Sequence, residues 1–95
     1  MSYTNIMAQY YDAAARQWDS AASVPYLSFA TGKGPQGCNF ISYDDEQSIT
    51  AKGSYVKAQG LGGTIVWTIQ QGHLPSAPAG KQDPLLRAAY NSIVP

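Results

Sequence analysis

One stretch constrains this chain more than any other: Thr64-Ile65-Val66-Trp67-Thr68-Ile69, the longest apolar run in the sequence. Its apolar residues do not alternate with polar ones. A strand that is apolar on both faces belongs to a parallel sheet covered on both sides. The residues before it complete the unit. Asn39-Phe40-Ile41-Ser42-Tyr43 reads as a short strand. Asp44 then reads as a helix N-cap with Gln47 three positions on, a capping-box arrangement, while Asp45 and Glu46 set negative charge at the positive end of the dipole. The helix runs to about Gln59, with Lys57 in its last turn and Gly60 placed to stop it. Ile49, Gly53 and Val56 share a face, and Gly53 predicts a close contact there. Strand, helix and strand in this order form a right-handed crossover. Two parallel strands cannot cover both faces of 64–69, and the chain offers no others of that type. The run is a buried strand without a visible sheet.

The flanks are simpler. Apolar residues at Tyr3, Ile6, Met7, Tyr10 and Tyr11 keep helical spacing over 2–11, with Ser2 as the cap and Ala13-Ala14-Ala15 as an optional extension. Gln17–Asp19 and Val24–Phe29 read as short strands joined by Ser20-Ala21-Ala22-Ser23. Pro25 donates no amide hydrogen, which predicts an edge strand or a strand start. Residues 31–37 form a turn-rich loop and 72–80 a Pro-rich one. Asp83 and Pro84, as cap and first helical residue, open a last helix reaching about Ile93.

Composition excludes more than it selects. Ninety-five residues make one small domain with a thin core. Six Lys/Arg against six Asp/Glu leave no net charge, which argues against nucleic acid as a partner. The 64–69 run is far short of the ~20 residues that cross a bilayer, so no membrane partner is expected. Residues 1–10 lack the basic start and apolar stretch of a signal peptide, so the chain is cytosolic or its signal lies elsewhere. One cysteine, Cys38, and one histidine, His73, allow no disulfide and no Cys or His-His metal cluster. No metal and no cofactor is expected. Gly60-Leu61-Gly62-Gly63 leads into the apolar run and not into a helix, so it is not a phosphate loop. Only 13% of residues are charged, against about 25% in ordinary soluble domains. Either the surface is unusually neutral or much of it is normally covered.

The run Phe40-Ile41-Ser42-Tyr43-Asp44-Asp45-Glu46-Gln47-Ser48-Ile49, followed by Lys52-Gly53-Ser54-Tyr55-Val56-Lys57 and Gly60-Leu61-Gly62-Gly63-Thr64-Ile65-Val66-Trp67, closely resembles the C-terminal part of family 18 glycoside hydrolases. The resemblance is to bacterial chitinases with an α+β insertion domain. Ser2–Ile6 and Val24-Pro25-Tyr26 are similar to the second half of that insertion domain. The resemblance implies an α/β fragment. Residues 1–38 would be the C-terminal half of the insertion subdomain. Residues 39–95 would be the last strand and helix units of a (β/α)8 TIM barrel of roughly 250 residues. It further implies a chitin or chitooligosaccharide partner, and a parent enzyme that is secreted or periplasmic.

Such enzymes take their acid from an Asp-x-x-Asp-x-Asp-x-Glu run and use the substrate's acetamide as nucleophile. Nothing in this sequence matches that run, so the chain is expected to be inactive, with no catalytic residue of its own. The substrate-binding residues implied are Trp67, Tyr3 and Asn5. By itself Trp67 reads as a core tryptophan; at the end of the resembled eighth strand it would lie under the sugar. Tyr3 reads equally as a helix-face core aromatic or as a groove wall. Asn5 is one methylene shorter than the Glu or Gln of the resembled pattern. Asp44 and Asp45 suit helix capping better than acid–base work. Trp18, Tyr26 and Phe29 read as core before they read as a stacking strip, and His73 as exposed polar surface. Two rivals stand beside the hydrolase fragment. One is a non-catalytic chitin-binding module. The other is an interaction fragment that completes a barrel with another chain, with self-association through the 64–69 strand.

Overall fold

The Ser2 hydroxyl accepts the Asn5 amide at 3.2 Å and so caps helix α1 (Tyr3–Gln9) in the computed structural model, which describes residues 1–95. The helix is shorter than its apolar spacing predicts. Asp12 accepts the Ala14 amide through its carboxylate at 2.9 Å, and this turn takes Ala13–Ala15 out of the helix.

Three strands follow: β1 (Arg16–Asp19), β2 (Val24–Lys33) and β3 (Cys38–Ser42), an antiparallel meander in the order β1-β2-β3. The Asp19 carboxylate closes the first turn by accepting the Ala21 and Ala22 amides, each at 3.0 Å. β2 is the central strand and Pro25 its second residue, so of the two placements Pro25 suggests the edge is corrected and the strand start holds. The conflict is resolved locally. Pro25 gives its carbonyl to the Tyr43 amide at 3.5 Å and, lacking an amide hydrogen, returns nothing, so the β2–β3 ladder ends there.

Leu27 and Ile41 point to one face of the sheet and meet Ile6 and Tyr10 from α1. Phe29, Cys38 and Tyr43 pack around this cluster. Each fully buried aliphatic side chain contributes about 1.5–3 kcal/mol. Gly34, in the β2–β3 turn, is required twice. Its φ of +71° suits glycine, and a Cβ there would overlap the Tyr10 ring. Tyr26 and Phe40 lie on the opposite face, their rings 5.5 Å apart. Trp18, Tyr26 and Phe29 therefore form no continuous strip.

Helix α2 (Glu46–Ala58) is capped one residue later than the sequence suggests. Asp45, not Asp44, is the N-cap. Its carboxylate accepts the Ser48 amide at 3.0 Å and its own amide donates to the Ser48 hydroxyl at 2.8 Å. At the other end, the Gly60 amide bonds the Lys57 carbonyl and the Leu61 amide bonds the Val56 carbonyl, both bonds of a Schellman motif.

The expected strand over 64–69 does not form. Residues 61–66 have no regular secondary structure and pair with no strand, and a short 3-10 turn begins at Ile69. A strand exists only through its neighbours' hydrogen bonds, and the chain's one sheet is antiparallel and built from β1, β2 and β3. The crossover reading falls for the same reason: the strand before α2 pairs antiparallel with β2. Residues 38–42 thus belong to the sheet of the first half of the chain.

Helix α3 (Pro84–Ile93) has Asp83 at its N-cap and Pro84 in its first turn, as its sequence predicts. It packs across α2 where Gly53 meets Ser92; a Cβ on Gly53 would overlap the Ser92 side chain. The close contact expected at Gly53 is this crossing.

Candidate functional site

A cavity of about 460 Å³ opens where α1, α2, α3 and the 64–69 stretch converge. Tyr3 and Ile6 of α1 form part of its wall, with Tyr43 and Asp44 just past β3 beside them. Ile49, Lys52 and Gly53 contribute from α2, and Leu85, Leu86 and Ala89 from α3. The 64–69 stretch supplies Ile65, Val66, Trp67 and Thr68. The lining is mainly apolar with a few polar groups, the character of a small-molecule site.

Trp67 is 88% exposed and Ile65 93% exposed. The indole is therefore not a core residue of this chain. The Trp67–Thr68 peptide is cis. Tyr3 is half-buried, its ring 6.5 Å from that of Tyr43 and tilted by 31°. Burial, reinforced by the carboxylates of Glu46 and Asp45, pushes the Tyr3 hydroxyl up from 10.0 to about 12. Burial and Asp45 likewise raise the Tyr43 hydroxyl. The Tyr43 hydroxyl and the Thr68 hydroxyl are both buried without a hydrogen-bond partner.

The sequence-predicted residues divide. Trp67 and Tyr3 share the cavity; Asn5 does not line it, and its amide serves the Ser2 cap. Asp44 and Asp45 are both occupied. Asp44 accepts from Lys52 Nζ at 2.8 and 2.7 Å and from the Ser48 hydroxyl at 2.8 Å. Asp45 accepts from Arg16 Nη2 at 2.6 Å and Nε at 3.1 Å, while Arg16 Nη2 also reaches Gln47 at 3.0 Å. Both Arg16 donors reach the same oxygen, Asp45 Oδ2; the pair ties β1 to the start of α2 and raises the Arg16 pKa. No three His, Cys, Asp or Glu side chains are grouped so as to hold a metal ion.

His73 is not plain surface. Its Nδ1 lies 2.8 Å from the Asp83 carboxylate, and Asp83 makes no side-chain cap to α3. The His73 carbonyl accepts from Thr4 Oγ1 at 2.6 Å. Sequence reasoning missed Thr4, Tyr43 and the His73–Asp83 pair. Tyr43 lies inside the motif run and could have been found; a threonine inside a helix carries no such signal.

The model of glycosyl hydrolases family 18 matches residues 1–72. The chain is 48% identical over 56 residues to a probable endochitinase of Caenorhabditis elegans, covering 59% of this chain and 8% of that protein. It is 34% identical over 83 residues to chitinase ChiA of Flavobacterium johnsoniae, covering 84% of this chain and 5% of that protein. Among solved structures it resembles a glycoside hydrolase family 18 N-acetylglucosaminidase from Paenibacillus barengoltzii, with a TM-score of 0.65 and 38% identity. That match covers 94% of this chain and 22% of the solved one. The chain thus spans under a quarter of that solved relative and under a tenth of the other two.

Proposed function

Because the chain belongs to family 18 of the glycosyl hydrolases, we propose that it is the C-terminal part of a chitinase-like enzyme acting on β-1,4-linked N-acetylglucosamine polymers, and that its cavity seats one sugar of that polymer. The observation that carries this reading is the exposed indole of Trp67 on the wall of the cavity that Tyr3 also lines. A flat apolar ring suits the C–H face of a pyranose, and its N–H can donate to a hydroxyl. Tyr3 supplies a second aromatic edge whose hydroxyl stays protonated at neutral pH. Asn5 falls outside the proposed contacts.

No residue of this chain acts as the acid. The Asp-x-x-Asp-x-Asp-x-Glu run is absent from the sequence, and the Asp44 and Asp45 carboxylates before α2 are held by Arg16, Lys52 and Ser48. Within the parent, residues up to about Ser42 would close the insertion subdomain, and α2, the 64–69 stretch and α3 would close the TIM barrel. The parent would work in a secreted or periplasmic setting, because an insoluble polymer does not enter cells. No helix of the chain is long and apolar enough to cross a membrane.

Isothermal titration of the chain with chitotetraose tests the site. Binding that weakens about ten-fold or more in Trp67→Ala is expected, since the ring provides the stacking surface. Equal affinity in the two proteins would overturn it. The unpaired stretch before Ile69 favours a second reading, in which this surface is covered by another chain.

A further inference from the structure

We infer that Thr4 is the positioning residue of this cavity, its hydroxyl fixing the wall that carries Tyr3 against the stretch that carries Trp67; the inference rests on the sugar-site reading above. The stretch before the turn at Ile69 is poorly held. Between Leu61 and Thr68 no residue makes a hydrogen bond to a helix or strand beyond the Leu61 amide in the α2 cap, and the Thr68 carbonyl bonds only forward to the Gln71 amide at 3.2 Å. Trp67 is therefore placed by what anchors the turn that follows it.

Two side-chain tethers hold that turn from its far side, besides the bond from the Leu74 amide to the Gln82 carbonyl at 2.7 Å. The His73 ring meets Asp83 at the start of α3. The other tether is Thr4, whose Oγ1 lies 2.6 Å from the His73 carbonyl, 3.1 Å from that of Gln71 and 3.5 Å from that of Gln70. One hydroxyl proton serves one acceptor at a time, and the shortest contact is the His73 carbonyl. The end of a helical turn leaves carbonyls without partners, so the Thr4 hydroxyl satisfies a group the turn cannot satisfy itself. Thr4 is the only residue of α1 that hydrogen-bonds this turn, and its neighbour in the chain is Tyr3. The bond thus couples the two aromatics across the cavity. Thr4 itself is absent from the cavity wall, which separates positioning from contact.

Chitotetraose titration of the full chain in a Trp18→Phe background, with Trp67 as the only indole, tests this by calorimetry and by indole quenching. Thr4→Val keeps the shape and removes the donor; Thr4→Ala removes the donor while improving helix propensity, so α1 survives in at least one variant. Both are expected to bind about five- to ten-fold more weakly, the scale of one lost neutral hydrogen bond, with altered Trp67 quenching. Thr4→Ser, which restores the hydroxyl, is expected within about two-fold of the parent. Wild-type-like binding in Thr4→Val and Thr4→Ala, or a Thr4→Ser as weak as Thr4→Ala, overturns the positioning role while leaving the sugar site intact. Absence of binding in the unsubstituted chain overturns both.

Discussion

Tyr3 shows how one residue joins stability to the site. Tyr3 sits at the start of α1, its hydroxyl close enough to feel the carboxylates of Glu46 and Asp45, and burial alone already disfavours the phenolate. The unfolded chain releases this proton near 10.0, the folded chain near 12. Between those values the folded state holds the extra proton. The resulting stability is complete below pH 10 and is lost as pH rises towards 12. Tyr43 shifts in the same direction and adds to the loss. Denaturant midpoints from about pH 9 to about pH 12 are expected to fall, and to fall less steeply in Tyr3→Phe. Equal slopes for the two proteins would contradict this. Residue-level legibility was uneven. The sequence marked the start of α2 to within one residue, yet assigned the cap to Asp44. Two adjacent aspartates are equivalent as caps until Arg16 and Lys52 choose between them, and those partners come from a distant strand and from two turns along the helix. The motif singles out Trp67 as a candidate, and the structure puts it on the cavity wall; Thr4 carries no such signal, because its hydroxyl acts on carbonyls more than sixty residues away.

At the scale of elements, local chemistry held wherever an element closes on itself. The Ser2 cap, the Gly60 stop and the Asp83-Pro84 start all lie where turn and cap preferences put them. It failed for 64–69, since apolar patterning reports what a segment would bury and says nothing of whether the cover is present. The α2–α3 crossing is the clearest element-level contact. Gly53 is buried against Ser92, and an added methyl would have to displace a side chain too short to swing away. Gly53→Ala gains about 1 kcal/mol in helix propensity and costs about 1–3 kcal/mol in overpacking, so a net loss in urea-melt stability is expected. Pairing it with Ser92→Gly is expected to recover part of that loss, because the clash is with the Ser92 side chain. A Gly53→Ala protein more stable than the parent would mean the helices do not cross there.

For the whole molecule, the scarce charge and the unpaired run are expected to be one property. Only 8 of 95 residues are buried, and the accessible surface is 6207 Å². A self-contained protein of 10.2 kDa exposes about 5,300 Å². Its radius of gyration is 14.2 Å, where a compact chain of this length has about 12 Å. The excess of about 900 Å² matches the roughly 800 Å² that each partner gives to a standard interface. Much of it is apolar and continuous along the chain, from Leu61 through Ile65, Val66 and Trp67 to Ile69. Surface of this kind associates when it lacks its cover. Light scattering is therefore expected to give a mass that rises above 10.2 kDa with concentration. Ile65→Lys, which charges the most exposed position of the run, is expected to return it to the monomer while leaving the α1–sheet core untouched. A mass of 10.2 kDa at every concentration would show that water alone suffices to cover the run, and the link between low charge and a missing partner surface would fail with it.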